Sequence, residues 1–179
     1  MGQHNRISNI RRAAVVVVVA VGAILAVAAP ASAASVHFKN KPPATFTDQG
    51  LFLSASGSLT GLGNGDLVIA VTATGQPVAT CTNPAGATKP PGQNPATVVL
   101  TGVQSIPGNE IKNGNVSFNV STAGPVTPVP GAPGCPNTQW TEDITDVIFT
   151  SATITVYQPC TDTTPPISCP IVLQQTFTL

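Results

Sequence analysis

No arginine occurs after Arg12, and that absence removes more chemistry than any other feature of the chain. Bidentate clamping of carboxylates or phosphates and guanidinium stacking on aromatic rings are closed to everything that follows. Histidine is almost missing too. His4 and His37 are the only two, so the body of the chain holds no imidazole for a serine or cysteine triad, and no Gly-x-Ser-x-Gly occurs. Aromatic residues make up 4% and charged residues 8%. The four lysines, Lys39, Lys41, Lys89 and Lys112, are scattered and cannot neutralise a phosphate track, so nucleic acid is not an expected partner.

What is present begins with the pattern of an export signal. Met1 to Arg12 are polar and basic, Ala13 to Ala29 form an unbroken apolar run of Ala, Val, Ile, Leu and one Gly, and Pro30 follows. Ala31-Ser32-Ala33 supplies small residues where a signal peptidase reads, and Ala34-Ser35 add no stop-transfer charge. Residues 1–34 are therefore expected to be a secretory signal peptide, cleaved after Ala33 or Ala34. A retained anchor is the alternative, because about 17 apolar residues are the lower limit for a spanning helix. Arg11-Arg12 reads as ordinary basic charge, since Ala13-Ala14 stand where a twin-arginine signal carries strongly apolar residues. No cysteine lies near the cleavage site and Gln175 to Leu179 form no hydrophobic tail, so no lipid, membrane or wall anchor is expected after cleavage. The expected location is extracellular. All three arginines leave with the signal, and a full-chain balance of zero becomes minus three.

Residues 35–179 have the length of one domain and can bury roughly two-thirds of their unfolded surface. Cys81, Cys135, Cys160 and Cys169 should form two disulfides, for which three connectivities are possible. Cys160 and Cys169 enclose the turn-rich Thr161 to Ser168, which favours a local bridge. Cys81 and Cys135 would then close a long loop, each beside a Pro/Gly/Asn-rich stretch, stapling two loops at one end of the domain. The Cys-x-x-Cys and His-x-x-x-His spacings of a zinc site are missing.

Short segments rich in Val, Ile, Thr and Phe alternate with turn clusters, which indicates an all-β domain. Strands are expected at Leu51 to Thr60, Leu67 to Thr74, Val78 to Cys81, Thr97 to Ile106, Val116 to Thr122, Ile144 to Thr150, Ala152 to Gln158 and Ile171 to Leu179. Seven or eight strands at this spacing fit a two-sheet β-sandwich, immunoglobulin-like in its leading form, with a closed barrel as the alternative. Alternation nominates Leu67, Ile69, Val71 and Ala73, then Val116, Phe118 and Val120, then Ile154 and Val156, and Ile171, Leu173, Phe177 and Leu179 as core faces. Asn64-Gly65 and Asn113-Gly114 read as hairpin-type reversals. A two-residue loop at Asn64-Gly65 would, however, turn Leu59 away from Ile69 and Val71, so a bulge is required if all three share a core face. Asn83 to Ala96 and Ala123 to Thr138 are Pro-rich loops, the usual seat of binding on a rigid sandwich.

The segment Leu59-Thr60-Gly61-Leu62-Gly63-Asn64-Gly65-Asp66, then Cys81-Thr82-Asn83-Pro84 with Pro90-Pro91-Gly92-Gln93-Asn94-Pro95, and Thr145 to Thr153 resemble small exported proteins of high-GC Gram-positive bacteria that carry no assigned activity. The resemblance covers most of residues 35–179 and implies secretion, without a mechanism.

Candidate sites are few. Trp140 and Tyr157 are the possible platforms for a sugar ring or an aromatic ligand. Asn64, Asp66, Asp143 and Asp146 are the oxygen donors that could hold a structural calcium, although no Asp-x-Asp-x-Asp-Gly loop exists. Glu142 and Asp146 on one strand face would stand about 13 Å apart, too far for a glycosidase pair unless Asp66 or Glu110 completed it. These residues predict a secreted, non-enzymatic binding or structural module. Its expected partner is a glycan, a wall component, a small apolar molecule or a second copy of itself. The alternative is a carboxylate-based, glycosidase-like hydrolase.

Overall fold

The computed structural model describes residues 35–91, 95–127 and 134–179. The expected signal segment, Gly92 to Asn94 and the centre of the second Pro-rich loop lie outside the described residues. Nine strands are described: β1 His37–Phe38, β2 Ala44–Asp48, β3 Leu53–Thr60, β4 Leu67–Thr82, β5 Thr88–Lys89, β6 Val98–Ile106, β7 Val116–Ser121, β8 Thr141–Tyr157 and β9 Ile171–Thr178. A single 3-10 turn, Gly108–Glu110, is the one helical element among the described residues.

The strands form two antiparallel sheets. In the first, β3 pairs with β7 along one side and with β1 and β2 along the other. In the second, β4 pairs with β6 and β5 along one side and with β8 along the other, and β9 lies outside β8. One apolar cluster joins Ala55, Leu59, Phe118 and Val120 of the first sheet to Leu67, Ile69, Val71, Ile154 and Val156 of the second. Packing between facing sheets defines a β-sandwich, and the expected all-β fold with two disulfides is what the chain adopts.

The sheets are unequal. First-sheet strands run at most eight residues, whereas β4 has 16 and β8 has 17. The far halves of β4 and β8 project as a ribbon, with Leu53, Ala73, Leu100, Ile144, Val147, Phe149 and Ala152 forming a second cluster at its root. Two segments expected as separate strands are thus one in β4, and two more are one in β8. Bulges at Thr74/Gly75 and Val78/Ala79 interrupt the alternation without ending the pairing.

Several expectations need correction. Asn64-Gly65 is not a hairpin, because β3 and β4 lie in different sheets. The conflict over Leu59 disappears, since it and Ile69 reach the core from opposite sides. Asn113-Gly114 is a true two-residue reversal: Lys112 and Asn115 exchange both backbone hydrogen bonds at 2.9 Å, and φ is 51° at Asn113 and 72° at Gly114. Ile171 and Leu179 do not enter the core; they are 54% and 43% exposed. A bulge at Val172 breaks the register beside Ile171, and Leu179 lies past the last paired residue. Val116 is half-buried and packs against the core as expected. Strands β1, β2 and β5 were not expected, though Phe46 of β2 stacks on Phe177 at 5.0 Å between ring centroids.

Side chains tie the crossings between sheets. Gln158 is buried; its Oε1 accepts from Gly63 N at 2.9 Å and its Nε2 donates to the carbonyls of Gly63 at 3.0 Å and Gly65 at 2.7 Å, fixing the passage from β3 to β4. Where β6 crosses β7, a Cβ at position 102 would collide with the backbone of Ser121 and Thr122, so only glycine fits there.

The disulfides are Cys81–Cys135 and Cys160–Cys169, spanning 54 and 9 residues of sequence. Chain-entropy arguments give about 4 kcal/mol for the long loop and about 2.7 kcal/mol for the short one. Replacing Cys81 and Cys135 together by alanine should lower unfolding free energy in urea more than replacing Cys160 and Cys169. Equal or reversed losses would refute that ordering.

Candidate functional site

Both broad faces of the sandwich lack charge. No Asp, Glu, Lys or Arg occurs in β3, β4, β6, β7, β9 or residues 147–157 of β8. The charges lie in loops, at strand ends and on the ribbon.

The outer face of the second sheet is the more ordered. Its inward positions, such as Val71 and Ile154, fill the core, so the residues between them face away. The register then aligns Thr101 of β6 with Thr72 of β4, Thr72 with Thr153 of β8, and Thr153 with Thr176 of β9. Four threonines stand in one row across four strands. A second row runs Val99, Thr74, Ser151 and Thr178. Strands about 4.8 Å apart and side chains every second residue, about 6.7 Å along, make this a regular grid of hydroxyls and methyls. Thr153 Oγ1 and Thr176 Oγ1 are hydrogen-bonded at 2.8 Å. All eight positions are half-buried or exposed, whereas Val68, Ala70 and Thr155, further along the same face, are buried. Tyr157 lies in register with Val68 on this sheet and is half-buried.

The first sheet's outer face carries Ser54, Ser56 and Ser58 on β3 opposite Ser121, Asn119 and Ser117 on β7. Here the hydroxyls satisfy one another: Ser54 with Ser121 at 2.6 Å and Ser58 with Ser117 at 2.9 Å.

The ribbon end gathers the remaining candidates. Trp140 is half-buried just before β8, with Lys89 Nζ 5.0 Å from its ring centroid. Cys81–Cys135 fastens the second Pro-rich loop to the ribbon, and Thr127 Oγ1 bridges the Glu142 carbonyl and the Ile144 amide at 3.2 and 3.3 Å. An open apolar cleft of about 420 Å³ lies between Val98–Thr101 and Ala123–Val126, over Ile144, with Val99 64% and Val126 78% exposed. Its size would admit a small apolar molecule.

The acidic candidates are not brought together. Asp66 precedes β4 and accepts from the Gly108 amide at 2.8 Å, in the turn that holds Glu110. Asp143 and Asp146 pair with Thr80 and Val78 at the ribbon end, roughly 40 Å of strand away. Asn64, Asp66, Asp143 and Asp146 therefore cannot share one calcium. No group of three His, Cys, Asp or Glu residues suited to a metal occurs among the described residues. Glu142 and Asp146 do not share a strand face as expected, because Thr145 is an extra residue between the Ile144 and Asp146 pairings. Glu142 is instead 2% exposed, and its Oε2 makes no hydrogen bond among the described residues. Asp146 Oδ1 accepts from the Val147 amide at 2.9 Å.

The threonine rows were missed in the sequence because a row depends on register between strands distant in the chain. The available signal was parity: Thr72 and Thr74, Ser151 and Thr153, and Thr176 and Thr178 each alternate with core residues.

Comparison with protein-family models, with curated protein sequences and with solved structures returns no match to this chain. Among the described residues no helix is long and apolar enough to cross a membrane.

Surface hydroxyls contribute little to stability, because water replaces each bond they lose. Thr72→Val and Thr153→Val should each change urea unfolding free energy by less than about 1 kcal/mol. Gln158→Met, which removes three hydrogen bonds from a buried side chain to the backbone of Gly63 and Gly65, should cost about 3 kcal/mol. Losses of that size from the threonine variants would mean that the rows serve the fold.

Proposed function

We propose that this chain is an exported, non-catalytic binding module that adheres through the outer face of its second sheet to an uncharged polysaccharide. The observation that carries this reading is the in-register row Thr101, Thr72, Thr153 and Thr176 on a face without charge. Each threonine offers one donor, two acceptor lone pairs and a methyl group. A repeating, flat set of such groups complements a repeating, flat array of sugar hydroxyls and ring carbons. Anionic wall polymers fit less well, since the net balance after the signal is negative and no arginine remains. Separation of the carboxylates along the sandwich supports a binding role over the hydrolase alternative.

Export is supported by the signal-like first 34 residues and by two disulfides, which persist in oxidising surroundings. The immunoglobulin-like reading draws support from sheet orders β2-β3-β7 and β6-β4-β8-β9, with the chain crossing between sheets after β3, β6 and β7. It departs from antibody domains in having neither a disulfide between the sheets nor a tryptophan packed on one.

Residues 35–179 should be depleted from solution by insoluble cellulose or chitin, and retention should be insensitive to 1 M salt, because no ion pairs are involved. Thr153→Glu should weaken retention at least tenfold, whereas Ser56→Glu on the opposite face should leave it unchanged. Absence of depletion by every glycan, or equal retention of the Thr153→Glu variant, would overturn the reading.

A further inference from the structure

The second sheet ends on a strand built to be paired. Among the described residues nothing bonds to the outer side of β9. In an antiparallel ladder, successive residues turn their backbone groups alternately toward and away from the neighbour. Leu179 N donates to Thr150 O at 3.0 Å, so Leu173, Gln175 and Phe177 are directed at β8. Gln174, Thr176 and Thr178 turn their amides and carbonyls outward.

Exposed edges are normally blunted by charge, proline, shortness or a covering segment. The other edges carry such devices. β2 is five residues long, follows Pro42-Pro43 and ends in Asp48. On β7 the Asn119 amide is taken by Gln104 Oε1 at 3.1 Å, and on β6 the Thr101 carbonyl is taken by Ala123 N at 3.0 Å. From Leu173 to Thr178, past the bulge at Val172, β9 has neither a charged side chain nor a proline.

We infer that β9 is a self-association edge, and that its occupant is β9 of a second copy, paired antiparallel about a two-fold axis through Thr176. The register follows from the backbone: pairing Gln174 with Thr178 and Thr176 with Thr176 satisfies every outward amide and carbonyl from Gln174 to Thr178. Leu179, 43% exposed, then lies against Leu173 of the second copy. No like charges meet across the axis. The same register joins the two threonine rows end to end, so a row of four becomes a row of eight on one continuous sheet. One strand pair buries little area, so the dimer is weak in solution and is favoured where copies are concentrated on a surface. Edge pairing needs no glycan, and its test is ligand-free, so it stands or falls separately from polysaccharide binding.

In analytical ultracentrifugation, residues 35–179 should show a dimer fraction that rises with concentration. Thr176→Lys and Thr176→Asp should each weaken association at least tenfold, by setting like charges against each other on the axis, and an equimolar mixture of the two should restore it. A protein that stays monomeric to millimolar concentration, or lysine and aspartate variants that each dimerise like the parent, would overturn the inference. Should either variant fail to fold, amide exchange of the unaltered protein decides the matter. The amides of Gln174, Thr176 and Thr178 should exchange more slowly at high than at low concentration, and equal rates would overturn it.

Discussion

The pairing of β4 with β8 is the constraint on which the rest of the molecule depends. It runs from Val68 opposite Tyr157 to Thr82 opposite Thr141, the longest register among the described residues. Its inward residues Ile69, Val71, Ile154 and Val156 are the centre of the second sheet's share of the core, beside Leu67 of β4 and Ile106 of β6. Its outward residues supply the two central positions of each hydroxyl row. Its far end carries Cys81, and through the long disulfide it holds the loop that precedes β8. Because side chains alternate with a period of two, a one-residue slip would exchange core and surface along the whole length. The two bulges absorb the extra residues Thr145 and Thr150, so that each half keeps its own faces in phase.

The same pairing explains what could be read from the sequence. Period-two alternation is local, so Leu67 to Ala73, Phe118 with Val120, and Ile154 with Val156 could be assigned to a core without knowing their partners. The disulfide pattern was legible for a similar reason, since Cys160 and Cys169 flank a turn that brings them together. Relations between distant segments were not legible. Whether Asn64-Gly65 closes a hairpin or crosses between sheets depends on where β3 finds its neighbour, and β3 pairs with β7, not β4. The bulge at Thr145 was invisible as well, so Glu142 was assigned to the face of Asp146 when it turns inward. The strand β2 was missed because Ala44 and Phe46 are too few apolar residues to register as a pattern, yet Phe46 closes the core against Phe177.

Lack of charge and the positions of the remaining charges are two aspects of one arrangement. Burying a charge is costly unless it is paired, but an outward strand position is free to carry one, and lysine or glutamate there would keep a sheet face hydrated. On this sandwich those positions carry hydroxyls, and the ionic groups are displaced to the ends. The faces can therefore approach another neutral, hydrogen-bonding surface without desolvating ions, which is the largest cost of such contacts. The same neutrality removes the repulsion that ordinarily keeps strand edges apart.

Strand propensity alone does not account for the choice of hydroxyl residues. Threonine is β-branched and fits a pleated, half-buried surface, so its presence on β4, β8 and β9 could reflect local preference. Serine has no such advantage, yet the first sheet's outer face places Ser54, Ser56, Ser58, Ser117 and Ser121 where threonine or valine would pair better. The feature common to both faces is a neutral hydroxyl rather than a branched side chain. They differ in degree: four of the five serines on the first sheet bond to one another in pairs, whereas in the threonine row Thr153 and Thr176 bond to each other and Thr101 and Thr72 make no side-chain hydrogen bond among the described residues. Hydroxyls already paired within a sheet offer less to a ligand than hydroxyls facing water. That difference favours the second sheet over the first as the face for the proposed glycan contact.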